Sequence, residues 1–243
     1  MTGASVQEII DEGRNVPLTG SILADWARRG TPKQRDYLLG LLTAEHASRQ
    51  HSRRVRLLKA AGLPALKSLD GYDWGAIRFP DGFDRHQLAG LAWEDDGEDL
   101  VCYGDVGTGK THLACALTAA TCQAGDPARY FTASSLIAHL RDASHAGRLD
   151  RALAAIARNR LVAIDELGYL PIDPEGARLL FQVISNAYEH HSLIITTNLE
   201  FSRWGAVFGD DTMAAAIIDR LVHHGRLLHF HGDSWRVQHA LMA

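Results

Sequence analysis

Residues 104–111 read Gly104-Asp105-Val106-Gly107-Thr108-Gly109-Lys110-Thr111. The spacing is that of a phosphate-binding loop, G-x-x-x-x-G-K-[ST]. Glycines let successive backbone N–H groups converge on phosphate oxygens with no Cβ in the way. A helix starting at Lys110 adds the positive end of its dipole. Lys110 is suited to the β- and γ-phosphates of a nucleoside triphosphate, and Thr111 to Mg2+ through its hydroxyl. Chance alone yields the pattern in only about 0.3 % of chains of this composition and length. Lys110 is also the one lysine of four beyond residue 67.

A second run separates hydrolysis from other phosphate chemistry. Leu161-Val162-Ala163-Ile164-Asp165-Glu166 is an apolar strand ending in two acids. Asp165 would hold Mg2+, directly or through water. Glu166 would orient and polarise the attacking water as a general base. A kinase must keep water out, so Glu166 beside Asp165 argues against a small-molecule kinase. Leu193–Thr197 is another apolar strand, and Asn198 at its end could help position the water. Arg220, near the end of a helix, could serve a neighbouring subunit by stabilising charge on the transferred phosphoryl group.

Those residues need strands and helices to position them. From Leu100 onward strand-like runs alternate with helical ones. The strands are expected at Leu100–Tyr103, Ala128–Thr132, Leu161–Ile164, Leu193–Thr197 and Leu227–Phe230. The helices are expected at Lys110–Ala124, Ser134–Ala146, Pro174–His190 and Thr212–Val222. Such alternation predicts an α/β fold of βαβ units around a mainly parallel sheet. Upstream, short helices are expected around Val6–Asp11 and Ile22–Arg28. A long helix begins with a cap at Thr31-Pro32 and stops at Gly62 and Pro64. Residues 63–99, with several Pro and Gly and the acidic cluster 94–99, read as a connector. The domains are therefore expected at 1–72 and 73–243.

Charge is uneven along the 243 residues. Residues 1–67 hold 11 Lys/Arg and 6 Asp/Glu, a net +5, against −9 for the remainder. The long helix ends in a basic stretch containing Arg49, Arg53, Arg54, Arg56 and Lys59. That stretch reads either as a solvated face or as a surface for DNA phosphates or a partner. No apolar run approaches the roughly 20 residues of a spanning helix, which argues against a membrane protein. The first 30 residues hold Glu8, Asp11 and Glu12 and no signal-like block, so the cytoplasm is expected. Cys102, Cys115 and Cys122 read as buried thiols. The 13 histidines lack zinc-ligand spacing.

From about residue 35 to 240 the chain resembles the IstB-like helper ATPases of IS21-family insertion sequences. These are AAA+ proteins close to the DnaC-type helicase loaders and the DnaA initiator. The resemblance rests on Leu41-Leu42, Glu45 and Arg49, then on Leu63-Pro64, Lys67, Leu69 and Tyr72-Asp73. It continues in Gly104–Thr111 with His112-Leu113-Ala114, and in Ile164-Asp165-Glu166-Leu167-Gly168-Tyr169. It closes with Thr196-Thr197-Asn198-Leu199 and Ile218-Asp219-Arg220-Leu221-Val222-His223.

The resemblance implies an AAA+ module with a five-stranded parallel core sheet, preceded by a small helical domain. It implies ATP and Mg2+ as cofactors, with ATP bound between subunits of a homo-oligomer on duplex DNA, largely without regard to sequence. Residues 104–112 would bind the nucleotide, with Thr111 and Asp165 on the metal. Lys110, Asp165, Glu166, Asn198 and Arg220 would carry the catalysis, Arg220 as an arginine finger. The partner would be a transposase, or a helicase if the chain is instead a DnaC-like loader. Little chain remains for a helical lid, and Arg236 is the nearby candidate for a second sensor arginine.

Overall fold

A computed structural model of the chain describes residues 3–188 and 190–235. The chain divides into two compact units between Arg56 and Leu57. That division lies inside the long helix, upstream of the boundary expected near residue 72. The reason is packing: Leu57, Leu58, Leu63, Leu69 and Tyr72 all lie against the core of the C-terminal unit.

The N-terminal unit holds α1 (Val6–Gly13), α2 (Gly20–Arg29) and most of α3 (Pro32–Ala60). Ser5 starts α1 with a capping box, in which Glu8 N–H donates to Ser5 Oγ and Ser5 N–H donates to the Glu8 carboxylate. Ile9, Val16, Leu23, Ala27 and Leu42 form a small core, and Glu12 accepts from His46 Nδ1 at 2.9 Å.

The C-terminal unit runs β1 (Ile77–Arg78), α4 (Arg85–Ala89), α5 (Ala92–Asp95), β2 (Asp99–Gly104), α6 (Lys110–Ala124), β3 (Ala128–Thr132), α7 (Ala133–His145), α8 (Leu149–Ala157), β4 (Leu161–Leu167), α9 (Pro174–Ala187), β5 (Ser192–Thr197), α10 (Trp204–Phe208), α11 (Asp211–His223) and β6 (Gly225–Phe230). The sheet order is β1-β6-β2-β5-β4-β3. Five strands are mutually parallel, as expected, and β1 adds a sixth, antiparallel edge strand. Two residues paired to His229 and Phe230 are too short to show a sequence period.

Alternation along the buried strands divides the core into two layers. Leu100, Cys102, Tyr130, Leu161, Ala163 and Ile194 pack with α6 on one face. Val101, Val162, Ile164, Leu193 and Ile195 pack with α7, α9 and α11 on the other. The helix expected over Pro174–His190 ends at Ala187, because Tyr188 turns extended (ψ 121°). No helix among the described residues is long and apolar enough to cross a membrane.

The connector is more structured than its composition suggests. Phe83, Leu88 and Trp93 are buried in it. Two of its clustered acids are also buried. Glu94 accepts from Thr121 Oγ1 at 2.6 Å and pairs with Arg160 at 3.3 Å. Asp99 accepts from Leu193 N–H at 2.7 Å, which ties the start of β2 to the start of β5. Burial raises the Asp99 carboxyl to about 7 from its usual 3.8.

The folded chain therefore keeps a proton on Asp99 that the unfolded chain releases from about pH 4 upward. This group's contribution to stability falls as pH rises from about 4 to 7. Asp99→Asn keeps an acceptor for Leu193 and removes that fall. Its melting temperature relative to the parent should be higher at pH 8 than at pH 5 by roughly 3 °C or more. Equal differences at both pH values would contradict this reading of Asp99.

Candidate active site

Strand register decides which side chains meet. β5 lies between β2 and β4, with Cys102 opposite Thr196 and Ile164 opposite Ile195. The strands are parallel, so the loop after Gly104, the acids after Ile164 and the polar end of β5 emerge at one edge. Period-two alternation then turns Cys102, Tyr130, Asp165 and Thr196 towards α6, whose first turn carries Lys110 and Thr111.

The loop between β2 and α6 has the backbone its glycines allow. Gly104 ends β2 at φ +144°, where an added Cβ would stand 2.0 Å from the Phe230 carbonyl oxygen. Gly109 sits at φ +99°, with an added Cβ 2.9 Å from the Tyr72 hydroxyl. Side chains rarely adopt either conformation. Lys110 is only 6 % exposed, and its ammonium donates to the carbonyls of Gly104 (2.7 Å) and Asp105 (2.6 Å). Thr108 Oγ1 donates to Asp105 O at 2.7 Å. The ammonium is thus held against the loop that would cradle phosphates.

Asp165 is 1 % exposed. Its carboxylate accepts from Thr111 Oγ1 at 3.2 Å, from Tyr130 OH at 2.5 Å and from Thr196 Oγ1. Burial, then the bond to Asp165, push the Tyr130 hydroxyl well above its usual value, so it remains a donor. Glu166 is exposed and adopts φ +62°. Here β4 carries a bulge, with register shifting between Ile164 and Leu167. The strand expected to end at Ile164 therefore continues through the acids to Leu167.

The other expected site residues divide. Asn198 follows β5 directly, and its Oδ1 is buried without a hydrogen-bond partner among the described residues. Residues 105–109 form the loop itself. His112 lies in the first turn of α6, where Nε2–H donates to Ser68 O at 2.9 Å and the ring meets Tyr72 edge-on. Arg220 is separate from this cluster. It donates to Ala216 O at 2.8 Å and lies over the Phe181 ring. It lies in the last turn of α11, which leads into Gly225 opposite Asp99 at the start of β2. The loop lies at the far end of that strand, roughly 17 Å on. Arg53, Arg54, Arg56 and Lys59 are exposed on α3, and Arg49 pairs with Glu45 at 2.6 Å. Arg236 lies outside the described residues; just before it, Trp235 N–H donates to Gly107 O at 3.1 Å.

Three residues at the site carry no role in the sequence reading: Tyr72, Tyr130 and Thr196. Tyr72 OH donates to Gly109 O at 3.2 Å. For Thr196 a signal existed, since period two places it on the same side as Asn198. For Tyr130 none existed, because its contact follows from the pairing of β3 with β4. The cysteines are free and buried, and burial raises Cys102 to about 12 and Cys115 to about 11. No thiolate chemistry is available to them.

The residues present fit a nucleotide with its metal. The loop presents backbone N–H groups beside a buried ammonium, and the Thr111 hydroxyl adjoins a carboxylate, an oxygen set suited to Mg2+.

The family model described as "IstB-like ATP binding protein" matches residues 24–243. The chain is 34% identical over 218 residues to an ATP-binding protein named for insertion sequence IS5376 of Geobacillus stearothermophilus, covering 90% of this chain and 87% of that one. It is 37% identical over 219 residues to one named for insertion sequence IS21 of Pseudomonas aeruginosa, covering 89% and 82%. Among solved structures, the DnaC helicase loader aligns with TM-score 0.54 and 21% identity, covering 68% of this chain and 96% of that one. AMPPCP-bound DnaA from Aquifex aeolicus aligns with TM-score 0.55 and 18% identity, covering 70% of this chain and about half (52%) of that one. These two likenesses show that the chain shares the fold of those proteins.

The Gly104 geometry predicts a stability effect. In Gly104→Ala the new Cβ meets a backbone carbonyl that the β2–β6 pairing fixes. Its melting temperature should fall by roughly 6 °C or more. Val106→Ala, at an exposed loop position, should stay within about 1 °C of the parent. Similar values for the two variants would contradict the tight contact at Gly104.

Proposed function

The chain belongs to the IstB-like ATP-binding family of IS21-type insertion sequences, and on that premise we propose that it is an ATP-hydrolysing transposition helper. In this reading it assembles as a homo-oligomer on duplex DNA and recruits or stimulates a transposase. One observation carries the hydrolytic part: the ends of β2, β5 and β4 bring Lys110, Asn198, Asp165 and Glu166 to a single edge of the sheet.

Loop N–H groups from Gly107 to Thr111 and the Lys110 ammonium bind the β- and γ-phosphates. Thr111 and Asp165 would hold Mg2+, which when bound neutralises and aligns the phosphates. Glu166 takes a proton from water as the water oxygen bonds to the γ-phosphorus. The bond to the bridging oxygen breaks, and its electron pair leaves with ADP. Asn198, at the end of β5 on the same edge, would help orient that water through its side-chain amide. Arg220, at the opposite edge from its own loop, is suited to a neighbouring copy's phosphates rather than its own. The relatives' names, given for insertion sequences, support a role in transposition. The exposed arginines of α3 and the +5 charge of residues 1–67 support a phosphate-backbone contact with DNA.

Glu166→Gln should bind ATP about as tightly as the parent and cleave it at least 100-fold more slowly. Parent-like phosphate release would remove Glu166 from the role of base. Arg220→Ala should lose turnover but keep its ATP affinity. Mixing it with Glu166→Gln should restore activity, because each supplies what the other lacks; no restoration would contradict action between subunits. Replacing Arg53, Arg54 and Arg56 together by Ala should weaken DNA binding and flatten its log–log salt slope by about 2 to 3. An unchanged slope would return this stretch to a solvated helix face.

A further inference from the structure

We propose that Thr196 is the positioning residue for both acids, holding Asp165 and Glu166 in register with each other and with the strand that leads to Asn198. The inference rests on the hydrolytic function proposed for this site.

The β4 bulge creates a need that a hydroxyl meets. Ile164 pairs with Ile195 and Leu167 with Thr197, so three steps along β4 match two along β5. Glu166 is the residue at positive φ within that shift. Its N–H falls out of the ladder, and an unpaired buried N–H is costly. Thr196 Oγ1 accepts that N–H at 3.0 Å. The same oxygen donates its own proton to Asp165 Oδ1. A hydroxyl has one proton to give and lone pairs to accept with, and Thr196 uses both functions on adjacent acids.

The two acids then face different surroundings. Asp165 is sealed beneath α6, and Glu166 turns outward to solvent. A non-glycine residue at φ +62° persists only when its surroundings hold it there. Thr196 is 2 % exposed, pairs with Cys102 of β2, and lies between Ile195 and Thr197, which pair with β4 on either side of the bulge, so it can supply that hold. Asn198 lies two residues further along the chain. Thr196 thereby sets the distance between the proposed base, the proposed metal carboxylate and the residue that orients water.

Thr196→Val and Thr196→Ala remove the hydroxyl, and Thr196→Ser retains it. We expect Val and Ala to lower kcat by about 10-fold or more while KM for ATP stays within about 3-fold. Because Asp165 loses a fixed donor, the Mg2+ concentration that half-saturates binding of a fluorescent ATP analogue should rise about 3-fold or more. Ser should return both quantities to within about 3-fold of the parent. Parent-like kcat and Mg2+ dependence in Val or Ala would overturn the proposal. So would a Ser variant as impaired as Val, since loss of packing rather than of the hydroxyl would then explain the defect. If Val fails to fold, Ala and Ser decide the question. A parent protein that hydrolyses no ATP would overturn the hydrolytic reading instead, while the Mg2+ dependence of binding would still report on Thr196.

Discussion

A carboxylate removed from water must be surrounded by donors, and in this protein that requirement organises the site. Asp165 is sealed under α6 and is met by three hydroxyls: Thr111 from α6, Tyr130 from β3 and Thr196 from β5. Each arrives from a different element. The arrangement therefore exists only with β3, β4 and β5 adjacent, parallel and in their observed register. Burying a carboxyl group without hydrogen-bond partners is costly. The three hydroxyls supply those partners beside the loop after β2.

The same logic applies to a second buried charged residue at the site. Lys110 is held by carbonyls of the loop that precedes it, and that loop closes tightly because Gly104 abuts Phe230 of β6. The strand on one flank of β2 thus shapes the loop, while the strand on the other flank carries Thr196 and leads to Asn198. Glu166, one residue from Asp165, meets the opposite demand. The base proposed for Glu166 needs solvent, and the bulge with its positive φ turns Glu166 there while Asp165 stays buried. Two adjacent acids acquire different environments through one irregularity in one strand.

Much of this was legible in the sequence, for identifiable reasons. Lys110–Ala124 and Ala128–Thr132 are found where the pattern placed them, because buried strands and flanking helices carry strong periods and the glycines mark turns. The P-loop and the paired acids are local motifs and were read directly. What escaped depends on register or tertiary burial. Tyr130 reaches Asp165 across a strand pair 35 residues apart. Glu94 and Asp99 looked like members of a solvated acidic run, yet Thr121, Arg160 and Leu193 cover them. The two-residue β1 is too short to carry a period. The structural division lies at Arg56 rather than near residue 72. Composition marks linkers while packing marks units, and Leu57 and Leu58 pack against the core of the C-terminal unit.

In the proposed function, the edge formed by β2, β5 and β4 hydrolyses ATP in a process coupled to DNA. The most direct measurement is phosphate release from ATP with and without duplex DNA, using Lys110→Ala as the blank. Turnover should rise on adding duplex DNA and fall to background in Lys110→Ala. Turnover that persists in Lys110→Ala, or no turnover by the parent protein with ATP bound and DNA present, would contradict that function.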